Sequence, residues 1–281
     1  MRAWLRRWLP LPWLLRARQF CYLPLEVGRR LLGRHDPSLP PRWLQFVGGG
    51  DFTTIGDRFL GHCRQLAHLL PDEDVLDVGC GVGRIARALT GYLGPYGSYE
   101  GFDIVADAVR WCRRSITSRH PNFRFRHADV RNGGYNPRGR HTAVEFNFPY
   151  PDASFDFVVA ASLFTHMLPA EVAHYLDEIR RVLRPGGRCL TTFFVLNAES
   201  LALAVEGRAS LHFPYEGPGY RSSRADHPED AIAYFEEDVR QMFRQARLCI
   251  REPIYPGGWC GREGALEGQD IIIAYRESGE P

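Results

Sequence analysis

The chain has 281 residues, 44% of them hydrophobic, and a formal net charge of +2. That is enough apolar material for one large α/β core and too small a basic excess for a nucleic-acid-binding protein. All 35 basic side chains are arginine, which excludes Schiff-base, pyridoxal phosphate and P-loop chemistry, because each requires a lysine ε-amino group.

Residues 1–45 read as an extension distinct from the domain over 46–281. Met1 to Arg34 holds eight arginines against one acid, Glu26, with Trp4, Trp8 and Trp13 set among leucines and prolines. Its longest uncharged stretch, Trp8 to Leu15, contains Pro10 and Pro12 and falls far short of the roughly 20 residues that a membrane span needs. No small-residue cleavage site follows, which argues against a secretory signal. The composition suits either a loosely packed arm or peripheral contact with an anionic membrane surface through residues 1–34. Seven scattered cysteines without a C-x-x-C pair suggest neither a disulfide framework nor a zinc site. A cytoplasmic location follows, with the inner membrane surface as a possible place of contact.

Phe46-Val47-Gly48-Gly49-Gly50-Asp51 precedes a helix expected from about Thr54 to Leu70, its glycines forming a hinge or a turn. Val75 to Val78 then reads as a buried strand, and Ile85, Ala86 and Leu89 recur at helical spacing. Gly79, Gly81 and Gly83 fall between them, where the chain must reverse and where the lack of a Cβ lets a ligand approach the backbone. Their G-x-G-x-G spacing puts Arg84 where a dinucleotide fingerprint has its third glycine, which disfavours a nicotinamide oxidoreductase.

Ser98 to Asp103 reads as a second strand, ending in a carboxylate 26 residues after Asp77. An acid near that distance meets ribose hydroxyls in nucleotide-binding α/β folds, since a carboxylate accepts two hydrogen bonds from vicinal hydroxyls. Phe123 to Ala128 is a third strand, closed by Asp129. Residues 131–154 form an insertion, and Phe155 to Ser162 is a nearly all-apolar fourth strand. A helix from Ala170 to Leu183 aligns Val172, Leu176, Ile179 and Leu183 on one face. Leu183-Arg184-Pro185-Gly186-Gly187 then turns into a fifth strand, Cys189 to Leu196. A second insertion, 197–230, is rich in Gly, Ser, Arg, His and Tyr. The chain closes with an amphipathic helix, Glu236 to Ala246, and strands Leu248 to Ile254 and Asp270 to Tyr275. Trp259 and Arg262 lie in the last hairpin connection, which can reach the sheet edge where ligands bind; the favoured alternative is a packing tryptophan and a surface arginine.

The acid-x-G-x-G-x-G run, the successive strand-terminal acids and the L-R-P-G-G block together resemble the class I S-adenosylmethionine-dependent methyltransferases, strongly over residues 70–196 and loosely to Tyr275. The resemblance implies a doubly wound, mainly parallel seven-stranded α/β sheet with lid insertions, and S-adenosyl-L-methionine as cofactor. It places Asp77 near the cofactor ammonium and Asp129 at the adenine amino group, with Gly79, Cys80, Gly81, Gly83, Asp103, Ile104, Val130 and Ser162 completing the binding set. Methyl transfer from a sulfonium needs alignment and, for a hydroxyl acceptor, removal of a proton. His166, just past strand four, is the general-base candidate; the alternative is that it bonds backbone or cofactor and shapes the pocket. His141, His212 and His227 stand behind it. Asp152 with Asp156 offers oxygen ligands, but such acids more often start a strand, and no metal is expected. Both insertions follow carboxyl ends of strands, where acceptor specificity is expected. The expected activity is methylation of a small-molecule acceptor, most plausibly at oxygen, with no nucleic-acid partner; the alternative is a cofactor-binding scaffold without catalysis.

Overall fold

The structure, a computed structural model, describes residues 11–33, 36–45 and 50–279. The first ten residues, Arg34 and the expected hinge at Gly48 and Gly49 lie outside them. Helix α1 spans Leu11–Leu31 and α2 spans Phe52–Gln65. Asp51 caps α2, accepting a hydrogen bond from Thr54 N at 2.8 Å. The helix stops short of the expected Leu70, and His68 follows with φ of +51°.

Strand β1 (Asp74–Val78) leads through the glycine turn to α3 (Arg84–Leu89), and β2 (Ser98–Asp103) to α4 (Ala106–Cys112), which ends in a π turn over Arg113–Thr117. Then come β3 (Phe123–His127), β4 (Phe155–Ala160), α5 (Pro169–Val182) and β5 (Leu183–Phe193). Helix α5 opens on Pro169, whose missing N–H costs nothing there, and Glu171 accepts from Leu168 N at 2.8 Å. The fifth strand begins at Leu183, earlier than Cys189. Leu183 pairs with Phe155 and Arg188 with Phe157, so Pro185-Gly186-Gly187 bulges out of the ladder, with Gly186 at φ +82°. It also ends earlier, because Val195–Leu196 forms a separate strand, β6, in another sheet.

After β6 come α6 (Ala198–Val205), β7 (Tyr215–Gly217), β8 (Tyr220–Ser222), β9 (Ile232–Phe235), α7 (Glu236–Gln245), β10 (Leu248–Tyr255) and β11 (Asp270–Arg276). The main sheet has seven strands in the order β10-β11-β5-β4-β1-β2-β3. Pairs β2–β3, β1–β4 and β4–β5 are parallel, whereas β11 runs antiparallel to both neighbours. Strands β6, β9, β8 and β7 make a second, four-stranded sheet. The second insertion thus carries regular structure, which its small polar composition conceals.

Two compact units can be distinguished. The first comprises the described residues up to Glu73 together with Gly79–Thr142, and the second Asp74–Val78 with Ala143–Pro281. In the first, Tyr99 stacks on Phe123 with ring centres 5.1 Å apart. In the second, the fully buried Phe164, Phe193, Tyr234 and Phe243 centre the core around Phe193.

Candidate active site

Within the first unit, Gly79 N and Cys80 N both donate to Phe102 O at 3.0 Å, fastening the turn to the end of β2. Gly79, Gly81 and Gly83 all have positive φ. A Cβ on Gly83 would come within 2.8 Å of Ile116 Cδ1 and 3.0 Å of Cys112 Sγ, so this glycine lets the turn pack on the helix that follows β2. A Cβ on Gly81 would meet nothing within 4 Å. Internal packing therefore does not explain the absence of a side chain at Gly81, although its φ of +53° still favours glycine.

Asp103 joins this turn. One carboxylate oxygen accepts from Gly81 N at 2.7 Å and the other from Val105 N at 2.8 Å. Burial pushes its pKa above the ordinary aspartate value even against these two N–H bonds. The next residue, half-buried Ile104, accepts at its carbonyl from His127 Nε2 at 3.2 Å. Asp129, at the end of β3, is partly exposed, with Arg140 Nε 3.2 Å from one oxygen. Its carbonyl accepts from Arg140 N and His141 N at 3.0 and 3.1 Å, and Asn136 Nδ2 bonds the carbonyl of buried Val130 at 3.0 Å. The first insertion thus folds back on Asp129. Of the expected cofactor residues in this unit, the structure joins Gly81 to Asp103 directly and leaves Asp129 on its own loop, where Arg140 was not foreseen.

In the second unit, Asp77 is buried in β1 opposite Val159 of β4. Ser162, past the end of β4, sits at φ +55°. Its N–H donates to Thr192 Oγ1 at 2.7 Å and its hydroxyl to Gln269 Oε1 at 3.0 Å, while Thr192 Oγ1 donates to the same amide oxygen at 2.6 Å. His166 Nδ1 lies 2.8 Å from the Glu229 carbonyl. A carbonyl only accepts, so Nδ1 carries the proton and a neutral ring keeps its lone pair on Nε2. His212 and His227 are exposed, as is His141 in the first unit. Asp152 and Asp156 are held by arginines: Arg181 Nη1 reaches Asp152 at 2.7 Å and Arg184 Nη1 reaches Asp156 at 2.5 Å.

The last hairpin connection holds a cluster that the sequence does not announce. Trp259 packs as expected, its ring 5.7 Å from Phe194 and 5.3 Å from Phe213. Its indole N–H donates to Asp270 at 2.8 Å, and the same buried carboxylate takes Val195 N at 2.9 Å and Gly257 N at 2.7 Å. Arg262 is not a surface arginine. Its side chain is 8% exposed, Nη1 donates to Gly257 O at 2.9 Å, and Nε lies 3.0 Å from Glu199. Nη2 is buried without a hydrogen-bond partner. Arg262, Trp259, Phe194, Leu211 and Gln269 line an open cleft of about 570 Å³. Gln269, missed in the sequence because nothing local marks it, connects this cleft to Ser162.

Residues 75–187 match the family described as a methyltransferase domain. A probable S-adenosylmethionine-dependent methyltransferase of Mycolicibacterium smegmatis is 31% identical over 66% of this chain and 61% of its own length. A fatty-acid O-methyltransferase of the same organism is 33% identical over 42% of this chain and 36% of its own length. The chain thus spans less than two thirds of either relative. A SAM-dependent methyltransferase from Methanosarcina mazei shares the fold with a TM-score of 0.52 at 23% identity, over 76% of this chain and 97% of that one. Sheet order, glycine turn and the match over 75–187 together support a class I S-adenosylmethionine-dependent methyltransferase, whose fold this chain has.

Proposed function

We propose that the chain transfers a methyl group from S-adenosylmethionine to the hydroxyl oxygen of a small acceptor. The observation that carries this reading is the junction of Gly81 with Asp103. The carboxylate accepts from Gly81 N and Val105 N, and as an acceptor-only group it suits ribose hydroxyls. Gly81 presents backbone without a side chain beside it. These features fit the cofactor, with Gly79, Cys80, Gly81, Gly83, Ile104, Asp129 and Val130 as the remaining holding residues of this unit.

Bound there, the cofactor supplies a methyl group already activated by its sulfonium. On the second unit, Asp77 and Ser162 stay in the proposed binding set, and His166 takes the acceptor's hydroxyl proton at Nε2, its ring held by the Glu229 carbonyl. The hairpin cleft, with Arg262 in its lining, receives the acceptor. Asp270 and Glu199 already flank that guanidinium, so an uncharged oxygen suits it better than a carboxylate. The likeness to a fatty-acid O-methyltransferase also supports transfer to oxygen.

The test pairs calorimetry with an acceptor screen that follows S-adenosylhomocysteine release. S-adenosylmethionine is expected to bind and NAD not to bind, and hydroxylated apolar compounds to release product. Arg262→Met is expected to raise KM for such an acceptor about tenfold while leaving cofactor affinity unchanged. Cofactor binding without turnover on any acceptor would assign the chain to the scaffold reading instead.

A further inference from the structure

The two faces of α1 differ over its first two turns, although Leu25, on the side of Leu14 and Arg18, is also exposed. Leu14 and Leu15 are buried. On the same side, Arg18 Nη2 donates to Arg42 O at 2.8 Å and Gln45 O at 3.0 Å, and Glu26 accepts from Arg42 N at 3.0 Å. These contacts fix how the helix is rotated. The opposite side carries Trp13, Phe20, Leu23, Val27 and Leu31, related by steps of seven, three, four and four residues, which is one face of an α-helix. All five are exposed, Phe20 and Leu31 at 83% each. Burying such a stripe is favourable and leaving it in water is not, so it marks a contact surface.

Charge selects the partner. The segment from Met1 to Arg34 has eight arginines and a single acid, and exposed Arg16 places its guanidinium 5.8 Å from the Trp13 ring centre. A second copy of so basic a segment would be repelled. An anionic lipid surface would attract it, and tryptophan with arginine suits the boundary between headgroups and acyl chains. Among the described residues no helix is long and apolar enough to cross a membrane, which is what a helix lying in the interface requires.

We propose that α1 is an interfacial helix that lays Trp13, Phe20, Leu23, Val27 and Leu31 into an anionic bilayer surface. The test is co-sedimentation of the full chain with vesicles of phosphatidylcholine alone, or of phosphatidylcholine and phosphatidylglycerol in equal parts. Binding is expected to the anionic vesicles and to be weak on the neutral ones. The combined variant Phe20→Gln, Leu23→Gln, Val27→Gln keeps net charge and helix propensity, and is expected to lower vesicle affinity at least about tenfold. Phe20→Gln alone gives a smaller loss in the same direction and guards against misfolding of the triple variant. Three results overturn the proposal: no binding of the wild type to anionic vesicles, undiminished binding of both variants, or self-association without vesicle binding that the triple variant abolishes. Cofactor calorimetry on the same samples reads the methyltransferase assignment separately.

Discussion

Gly81 and Gly83 share a left-handed backbone for different reasons, and substitution should separate them. At Gly81 a new Cβ meets no atom within 4 Å, so Gly81→Val leaves the core intact and costs about 1 to 3 kcal/mol of backbone strain. Its main effect falls on the ligand: S-adenosylmethionine affinity measured by calorimetry should drop at least tenfold, the drop expected from a side chain set against the cofactor. Unchanged affinity would remove this turn from the binding site. His166 offers a comparable separation. If its Nε2 takes the acceptor proton, His166→Ala should lower kcat about 10²-fold or more while cofactor affinity holds. Undiminished turnover would show that the ring only shapes the pocket. The glycines, Asp103 and His166 could be found in the sequence because each follows a recognisable strand. Their partners could not: His166 meets a carbonyl 63 residues away, and no local pattern encodes that distance.

At the scale of elements, α5 illustrates what periodicity conveys and what it omits. Val172, Leu176 and Ile179 are buried, as the apolar spacing requires, but so is the charged Glu178. Its carboxylate accepts from Phe148 N at 2.6 Å and from Arg181 Nε and Nη2, each at 2.7 Å. Arg181 in turn donates to Phe148 O at 3.0 Å and Tyr150 O at 2.9 Å. One ion pair thereby pins the strand-entry loop before β4. Burial pushes the Glu178 carboxyl up, but the Arg181 fork and the Phe148 N–H outweigh it and hold the group below the usual glutamate range. A depressed carboxyl stabilises the fold above its unfolded pKa, and this contribution disappears as pH falls through the folded value. Glu178→Gln should therefore cost about 1 to 3 kcal/mol at neutral pH by urea unfolding. Its melting temperature should also fall less steeply than the wild type's on acidification below the usual glutamate pKa. Equal urea midpoints would refute the role given to this pair.

At the scale of the whole molecule, most strands of the main sheet were legible, because strands announce themselves through apolar runs and acids at their carboxyl ends, whereas their number and mainly parallel arrangement followed only from the family resemblance. The second sheet was not legible. Its strands β6, β7 and β8 are two or three residues long, too short for an alternating pattern, and Val195–Leu196 reads as the end of the apolar fifth strand. The bulge at Pro185-Gly186-Gly187 was hidden for a related reason: the same residues also read as a simple turn. Arg262 was misjudged because composition favours arginine at the surface, and only the fold brings Gly257, Asp270 and Glu199 around it.

The carboxylate of Asp270 reaches at once the first residue of β6, the indole of Trp259 and the peptide N–H of Gly257. A swing of β6 away from the last hairpin would break the Val195 bond and leave a buried carboxylate one donor short. The small sheet is better regarded as masonry than as a door. Selection of substrates would then follow from the size and contour of a standing chamber, and changes in preference would come from reshaping its side chains rather than from altering how often it opens.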